Sequence, residues 1–208
     1  MARYTRADCK LCRREKMKLF LKGTKCDTPK CPIEKRPFPP GEHGRARTKE
    51  TEYLLQLREK QKARRVYGVL ERQFRNYYVE ASRMKGITGE NLLQLLESRL
   101  DNVVYRSGFA LSRDQARQLV RHGHVLVNGR KASIPSMRLR PNDVVEVVDA
   151  SKHIQPVLHS LAYNESRERV DWLSIDREAL RATVLRLPER GQIDTQVQEQ
   201  LIVELYSK

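Results

Sequence analysis

The alternation of apolar and polar positions is sharpest between Ser98 and Val148. Ser112 followed three residues later by Gln115 has the form of a capping box, so a helix starts there. Ala116, Leu119 and Val120 make its buried stripe. Arg113, Arg117 and Arg121 recur every four residues and stack on the adjoining side. Gly123 ends the helix, because glycine takes the left-handed conformation without a steric cost. Val125-Leu126-Val127 then runs into Asn128-Gly129, a two-residue hairpin turn, with Arg130 and Lys131 just beyond it. A further strand over Asp143–Val148 follows the Pro141-Asn142-Asp143 turn. Upstream, Glu90–Ser107 reads as one helix leading into this unit.

Two more helices are expected between about Lys49 and Lys85. The first holds Tyr53, Leu54 and Leu57 and then a run of charge, with Arg58, Lys62 and Arg65 on one face at helical spacing. Gly68 breaks it. The second presents Leu70, Phe74, Tyr77, Tyr78 and Ala81 for packing and leaves Arg72 and Arg75 outside. After Val148 the pattern weakens. Ser151 caps a helix reaching about Tyr163, residues 164–169 are loop-like, and Val170–Ile175 and Ala182–Leu187 are apolar enough for strands. Trp172, the single tryptophan, is a packing anchor. Thr195 with Gln198 is another capping box, ahead of Val197, Leu201 and Leu205 on one helical face.

Charge turns this pattern toward a partner. The 208 residues carry a formal charge of +15. It is uneven: +13 over residues 1–75 (22 basic against 9 acidic side chains), +3 over 76–150 (11 against 8) and −1 over 151–208 (8 against 9). Such a balance predicts a polyanionic partner. No apolar run is long enough to span a bilayer, and Met1-Ala2-Arg3-Tyr4 has no signal-peptide character, so a cytoplasmic location is expected. Guanidinium forks match phosphate oxygens two at a time, and a row of them on a short helix reads as a platform for structured RNA. The bland alternative is a basic helix facing only water.

All four cysteines lie in the first 31 residues, as Cys9-x2-Cys12, a thirteen-residue loop, then Cys26-x4-Cys31. Two close pairs across a loop can close a tetrahedral site, and residues 1–47 have few large apolar side chains to bury. Lys10, Arg13, Arg14, Lys25 and Lys30 would favour thiolates. One structural Zn2+ on the four cysteines is therefore expected, with disulfides, free thiols or an iron–sulfur cluster as alternatives. From Arg36 to Arg47, three prolines and two glycines exclude a helix. An extended backbone bearing Arg36, His43, Arg45 and Arg47 could track a phosphate chain.

The run Ser112-Arg113-Asp114-Gln115-Ala116-Arg117, with Val120, Gly123-His124-Val125 and Val127-Asn128-Gly129, resembles the RNA-binding domain named after ribosomal protein S-four. Leu95 to Arg106, the Arg36-Pro37-Phe38-Pro39-Pro40-Gly41-Glu42-His43-Gly44 run and the ending Glu199 to Lys208 resemble the bacterial small-subunit ribosomal protein S-four family itself. Members of that family differ in whether they carry the cysteine set. The resemblance implies direct, early binding of 16S ribosomal RNA at a multi-helix junction of the 5′ domain. It also implies a border with small-subunit protein five, bearing on translational accuracy. It implies that the C-terminal region packs back on the helical lobe, and it makes His43 an RNA contact.

The expectation is an α+β chain with a mostly helical, zinc-bound N-terminal lobe and a small RNA-binding domain of two helices and a sheet. Its parts are residues 1–47, a zinc-binding and extended basic segment; 48–94, the helical lobe; 95–150, the RNA-binding domain; and 151–208, the C-terminal region. Candidate RNA contacts in the first two parts are Arg3, Lys10, Arg13, Arg14, Arg36, His43, Arg45, Arg47, Arg58, Lys62, Arg65 and Arg72. In the RNA-binding domain they are Arg99, Ser112, Arg113, Gln115, Arg117, Arg121, His122, Asn128, Arg130 and Lys131. A-form RNA hides its base edges, so contacts go mainly to phosphates and 2′-hydroxyls.

Catalysis is not expected. Arg99-Leu100-Asp101 resembles the Arg-Leu-Asp of pseudouridine synthases, but it precedes the RNA-binding unit and too little chain follows to build their catalytic domain. The five histidines show no metal-protease or triad spacing, no glycine-rich loop follows a strand, and no small-molecule substrate is implied. A free RNA-binding factor of the heat-shock or ribosome-rescue kind is the alternative; it leaves the cysteine segment, the proline strap and the tail unexplained.

Overall fold

A computed structural model describes residues 4–46, 49–165 and 170–207. The chain divides into two compact units: residues up to Leu92 together with those from Thr195 onward, and Leu93–Asp194.

The first unit opens with three short helices, α1 (Cys9–Glu15), α2 (Thr24–Asp27) and α3 (Pro32–Lys35). Two longer ones follow, α4 (Glu52–Val66) and α5 (Glu71–Arg83). The Thr51 hydroxyl accepts from the Leu54 amide at 3.2 Å and starts α4. At its end Gly68 takes φ +62°, and the Gly68 and Val69 amides return to the Arg65 and Arg64 carbonyls. The C-terminal helix, here α10 (Glu199–Tyr206), packs on α4. Tyr206 stacks on Tyr78 and Phe74, with ring centroids 4.7 and 6.3 Å apart. The expected Thr195–Gln198 capping box does not form. The Thr195 hydroxyl sits 3.1 Å from that of Tyr67, and the Gln198 amide donates to Glu59 instead.

The helix expected over Glu90–Ser107 is two helices, α6 (Thr88–Glu97) and α7 (Leu100–Arg106). Between them Arg99 is extended and bridges Arg138. The break is supplied from elsewhere in the second unit. The Leu100 and Asp101 amides donate to the Met137 and Pro135 carbonyls at 2.8 and 3.1 Å, so a distant loop satisfies the donors that open α7.

Every residue of α7 is buried. It packs against α8 (Arg113–Arg121). Beside them lie β1 (Val125–Val127), β2 (Arg130–Lys131) and β3 (Val144–Val147); farther along come α9 (Gln155–Tyr163), β4 (Leu173–Asp176) and β5 (Arg181–Val184). The sheet is antiparallel with order β2-β1-β3-β5-β4. Val125 faces Val147, and Val145 faces Ala182. Val103, Phe109, Ala116, Val120, Val145 and Trp172 share one core, with Trp172 the anchor expected.

Residues 151–194 are therefore placed differently from the expectation that the whole C-terminal region packs on the helical lobe. Two strands from this stretch extend the sheet, because Ala182 and Val184 continue the buried face of Val145 and Val147. Only the chain from Thr195 belongs to the first unit. Among the described residues no helix is long and apolar enough to cross a membrane.

Candidate nucleic-acid interface

Helix α8 forms where its sequence pattern predicts. The Ser112 hydroxyl accepts from the Gln115 amide at 3.2 Å, and Gly123 closes the end with φ +76°. Gln115 bonds outward from the helix: its side-chain oxygen accepts from the Leu111 amide at 2.7 Å, and its nitrogen donates to the Pro156 carbonyl on α9 at 3.1 Å. Ser112 is buried. Both candidates thus hold α8 in place.

The arginine row does not present three free guanidinium groups. Arg117 is 8 % exposed and its Nη1 lies 3.3 Å from Asp101 Oδ2. Arg99, 1 % exposed, holds the same carboxylate with two donors at 3.0 and 2.6 Å. Arg113 lays its guanidinium over the Tyr105 ring at 4.6 Å and donates to Asn102 Oδ1 at 2.8 Å. Arg121 alone of the row is exposed. The reading of Arg99 and Arg117 as surface contacts is corrected: helical spacing placed the row, but Asp101 on α7 draws Arg117 into the interior.

Beside this pair lies a second buried carboxylate. Glu97 accepts from Asn102 at 2.6 Å and from Arg106 at 2.7 and 2.9 Å. Arg106 also reaches Asp194 at 2.6 Å. Burial alone would lower the Arg106 pKa; Glu97 and Asp194 outweigh it and hold the group well above its usual value. The α7–α8 unit thus rests on buried, multiply bonded ion pairs.

Other basic groups of this unit are exposed. Arg130 and Lys131 form the edge strand β2, and both are exposed. Arg121, His122, Arg138 and Arg140 are exposed too. Arg138 and Arg140 were missed in the sequence. The signal was there: they flank buried Leu139, and in extended chain alternate side chains point to opposite sides. Asn128 has φ +50°, donates to Asp143 Oδ1 and accepts from the Val144 amide, both at 2.9 Å, so it fastens the turn.

In the first unit, Lys10, Arg14, Arg36, His43, Arg45 and Arg72 are exposed. The Arg58, Lys62 and Arg65 face is not a free basic stripe. Arg58 donates to Glu15 Oε1 at 3.0 Å, and Arg65 pairs with the same oxygen. Lys62 pairs with Glu59 at 2.5 Å and donates to the Gln196 carbonyl. The Glu15 side chain is 2 % exposed, and burial raises its carboxyl pKa against the opposing pull of Arg58 and Arg65. Arg13 turns its donors to the Phe38 and Pro39 carbonyls at 3.0 and 3.4 Å. Arg3 and Arg47 lie outside the described residues.

The zinc expectation is corrected. Among the described residues no three or more His, Cys, Asp or Glu side chains form a group that could hold a metal ion. All four cysteines are free thiols, and Cys12, Cys26 and Cys31 are buried, as are Leu11, Leu19 and Ile33. Burial, first, pushes the Cys12 thiol up to about 11, and burial raises Cys26 as well. The neighbouring Lys10, Arg14, Lys25 and Lys30 are exposed to water, where their charge is screened. At Cys12 and Cys26 desolvation therefore outweighs the thiolate-favouring charges read from the sequence.

Residues 3–97 match the ribosomal protein S4/S9 N-terminal domain, and residues 98–145 match the S4 domain. The chain belongs to the ribosomal protein uS4 family. It is 68 % identical over 208 residues to the small ribosomal subunit protein uS4 of Acidothermus cellulolyticus, covering all of both chains. The uS4 proteins of Frankia casuarinae and Dictyoglomus turgidum are 65 % and 64 % identical, again over the full length of both. The two uS4 domain matches meet between residues 97 and 98, at the break that separates α6 from α7.

Proposed function

We propose that this chain is a structural constituent of the small ribosomal subunit that binds 16S ribosomal RNA directly. The observation that carries this is its full-length similarity to proteins named as small-subunit constituents. The geometry supplies the means. Arg121, His122, Arg130, Lys131, Arg138 and Arg140 stand exposed on a unit stiffened by buried ion pairs, so their charges meet a phosphate surface without prior ordering of the scaffold. In the first unit Lys10, Arg14, Arg36, His43, Arg45 and Arg72 do the same. Recognition is of shape: phosphates and 2′-hydroxyls of folded RNA rather than base edges. The RNA target is a multi-helix junction in the 5′ domain, bound early so that later proteins can join. The neighbour is small-subunit protein five, at a border that bears on translational accuracy, and the working location is the ribosome in the cytoplasm.

No catalytic role accompanies this. Asp101, the carboxylate of the Arg99-Leu100-Asp101 triplet, is buried and bonded to two guanidinium groups, which supports a packing role for it. The test is competition binding to a 5′-domain fragment of 16S RNA with excess transfer RNA at several salt concentrations. Basic proteins bind any RNA weakly and salt-dependently, so the informative result is a preference that survives competitor and moderate salt. Equal affinity for both RNAs would overturn the proposal in favour of a free RNA-binding factor.

A further inference from the structure

The proline strap after α3 has no regular secondary structure, yet it is tied down at one aromatic ring. The Arg13 guanidinium stands 5.2 Å from the Phe38 ring centroid, and the Arg45 guanidinium 4.7 Å from it. Arg13, on α1, also bonds the Phe38 and Pro39 carbonyls, which joins the strap to a helix 25 residues upstream. Gly44 completes the turn between ring and Arg45: a Cβ there would overlap the Pro39 carbonyl oxygen. The two arginines differ in what they leave available. Arg13 is half-buried with two of its nitrogens bonded to the strap, whereas Arg45 is exposed. A guanidinium held against a ring by cation–π attraction spends no N–H donor on a hydrogen-bond acceptor, so its fork keeps the capacity to grip a phosphate bidentately.

We propose that Phe38 is a positioning residue for phosphate binding, and that its ring presets the Arg45 guanidinium to receive a backbone phosphate of folded RNA. Arg13 locks ring and strap to α1, so Arg45 gives up little side-chain freedom when it binds. The inference rests on the rRNA-binding reading above and adds to it a residue with no polar side-chain atom, which no charge pattern would single out.

The test is a double-mutant cycle in the full chain, using Phe38→Ala, Arg45→Ala and the pair, with Phe38→Tyr as the conservative variant. Binding is measured on the 5′-domain fragment and on transfer RNA across a salt series. Arg45→Ala lowers the slope of log affinity against log salt by about one. Phe38→Ala lowers affinity about three- to ten-fold, Phe38→Tyr restores it, and in the Arg45→Ala background Phe38→Ala has almost no further effect. In the free protein the Arg45 Nε–H proton resonance carries a ring-current shift that Phe38→Ala abolishes. Additive losses in the cycle, or wild-type affinity in Phe38→Ala, would overturn the proposal. If wild-type protein binds both RNAs equally, the ribosomal reading fails, and the cycle on either RNA still decides whether Phe38 acts through Arg45.

Discussion

The buried charges of the second unit are worth most where they are hardest to replace. Glu97 is held by Arg106 through two donors and by Asn102 through a third, away from water. Breaking a buried pair from one side leaves an uncompensated charge, so Arg106→Ala should cost about 3–5 kcal/mol, read from urea unfolding. An effect under about 1 kcal/mol would mean that water already reaches Glu97. Arg117→Ala should likewise lower the thermal midpoint, because it strips one of two guanidinium groups from Asp101. Two carboxylates of the first unit should shift stability with pH in opposite directions. Burial would raise the Glu71 pKa, but bonds from Lys60 and Tyr206 win and lower it. Its contribution is then complete above the unfolded value of 4.5 and is lost as pH falls through the depressed folded value. Glu15 is raised by burial, so the folded state holds its proton more tightly, and stability falls as pH rises from 4.5 through the raised value. On acidification from pH 7 to about 3.5, Glu71→Gln should lose less stability than wild type and Glu15→Gln should lose more. Thermal midpoints at the two pH values check this, and the reverse order would sink it.

At the scale of elements, what was legible in the sequence was local. The Ser112 half of the α8 capping box, the Asn128-Gly129 turn and the Gly68 break each depend on residues within a few positions and form as read, whereas the Gln115 side chain accepts from the Leu111 amide and leaves the box half made. The break between α6 and α7 was not legible. Leu92, Leu93, Leu96, Leu100 and Val103 are all buried, so the apolar period runs on across it, and the carbonyls that open it come from Pro135 and Met137. The arginine spacing gave the right helix faces but not their occupants. Arg58 meets Glu15 from 43 residues away and Arg117 meets Asp101 from 16, distances over which no period carries information. The cysteine spacing suggested a metal site, whereas no metal-holding group forms among the described residues, and burial raises the Cys12 and Cys26 thiols. One glycine in α6 shows the same non-local control. A Cβ on Gly89 would stand 2.6 and 2.9 Å from Cγ and Cβ of Glu199, the first residue of α10. Helix propensity alone would make Gly89→Ala stabilising by about 1 kcal/mol. Overpacking costs about 1–3 kcal/mol, so the net effect should be a loss, with α10 displaced. A raised urea midpoint for Gly89→Ala would show that α10 yields freely.

Across the whole molecule, net charge and usable charge are differently distributed. Residues 1–75 hold most of the excess, yet Arg58, Lys62, Arg64 and Arg65 are all paired with carboxylates. Residues 76–150 carry only +3, but Arg121, Arg130 and Lys131 are exposed on a helix end and an edge strand. An edge strand of charged residues also resists pairing with another chain, so β2 serves solubility and binding together. Counterion release makes the contribution of such groups measurable: each side chain that neutralises a phosphate adds close to one to the slope of log affinity against log salt. Replacing Arg121, Arg130 and Lys131 together by glutamine should lower the slope magnitude by about two to three. Between 50 and 200 mM salt the variant should then lose about 16- to 64-fold less affinity than wild type. The loss at low salt should be similar for any folded RNA, since phosphate contacts position without reading sequence. The thermal midpoint should stay within about 2 °C, because exposed substitutions away from caps and buried pairs change little. An unchanged slope would place the phosphate contacts elsewhere on the chain. A collapsed midpoint would mean that these three side chains hold the fold, as Arg99 and Arg106 do.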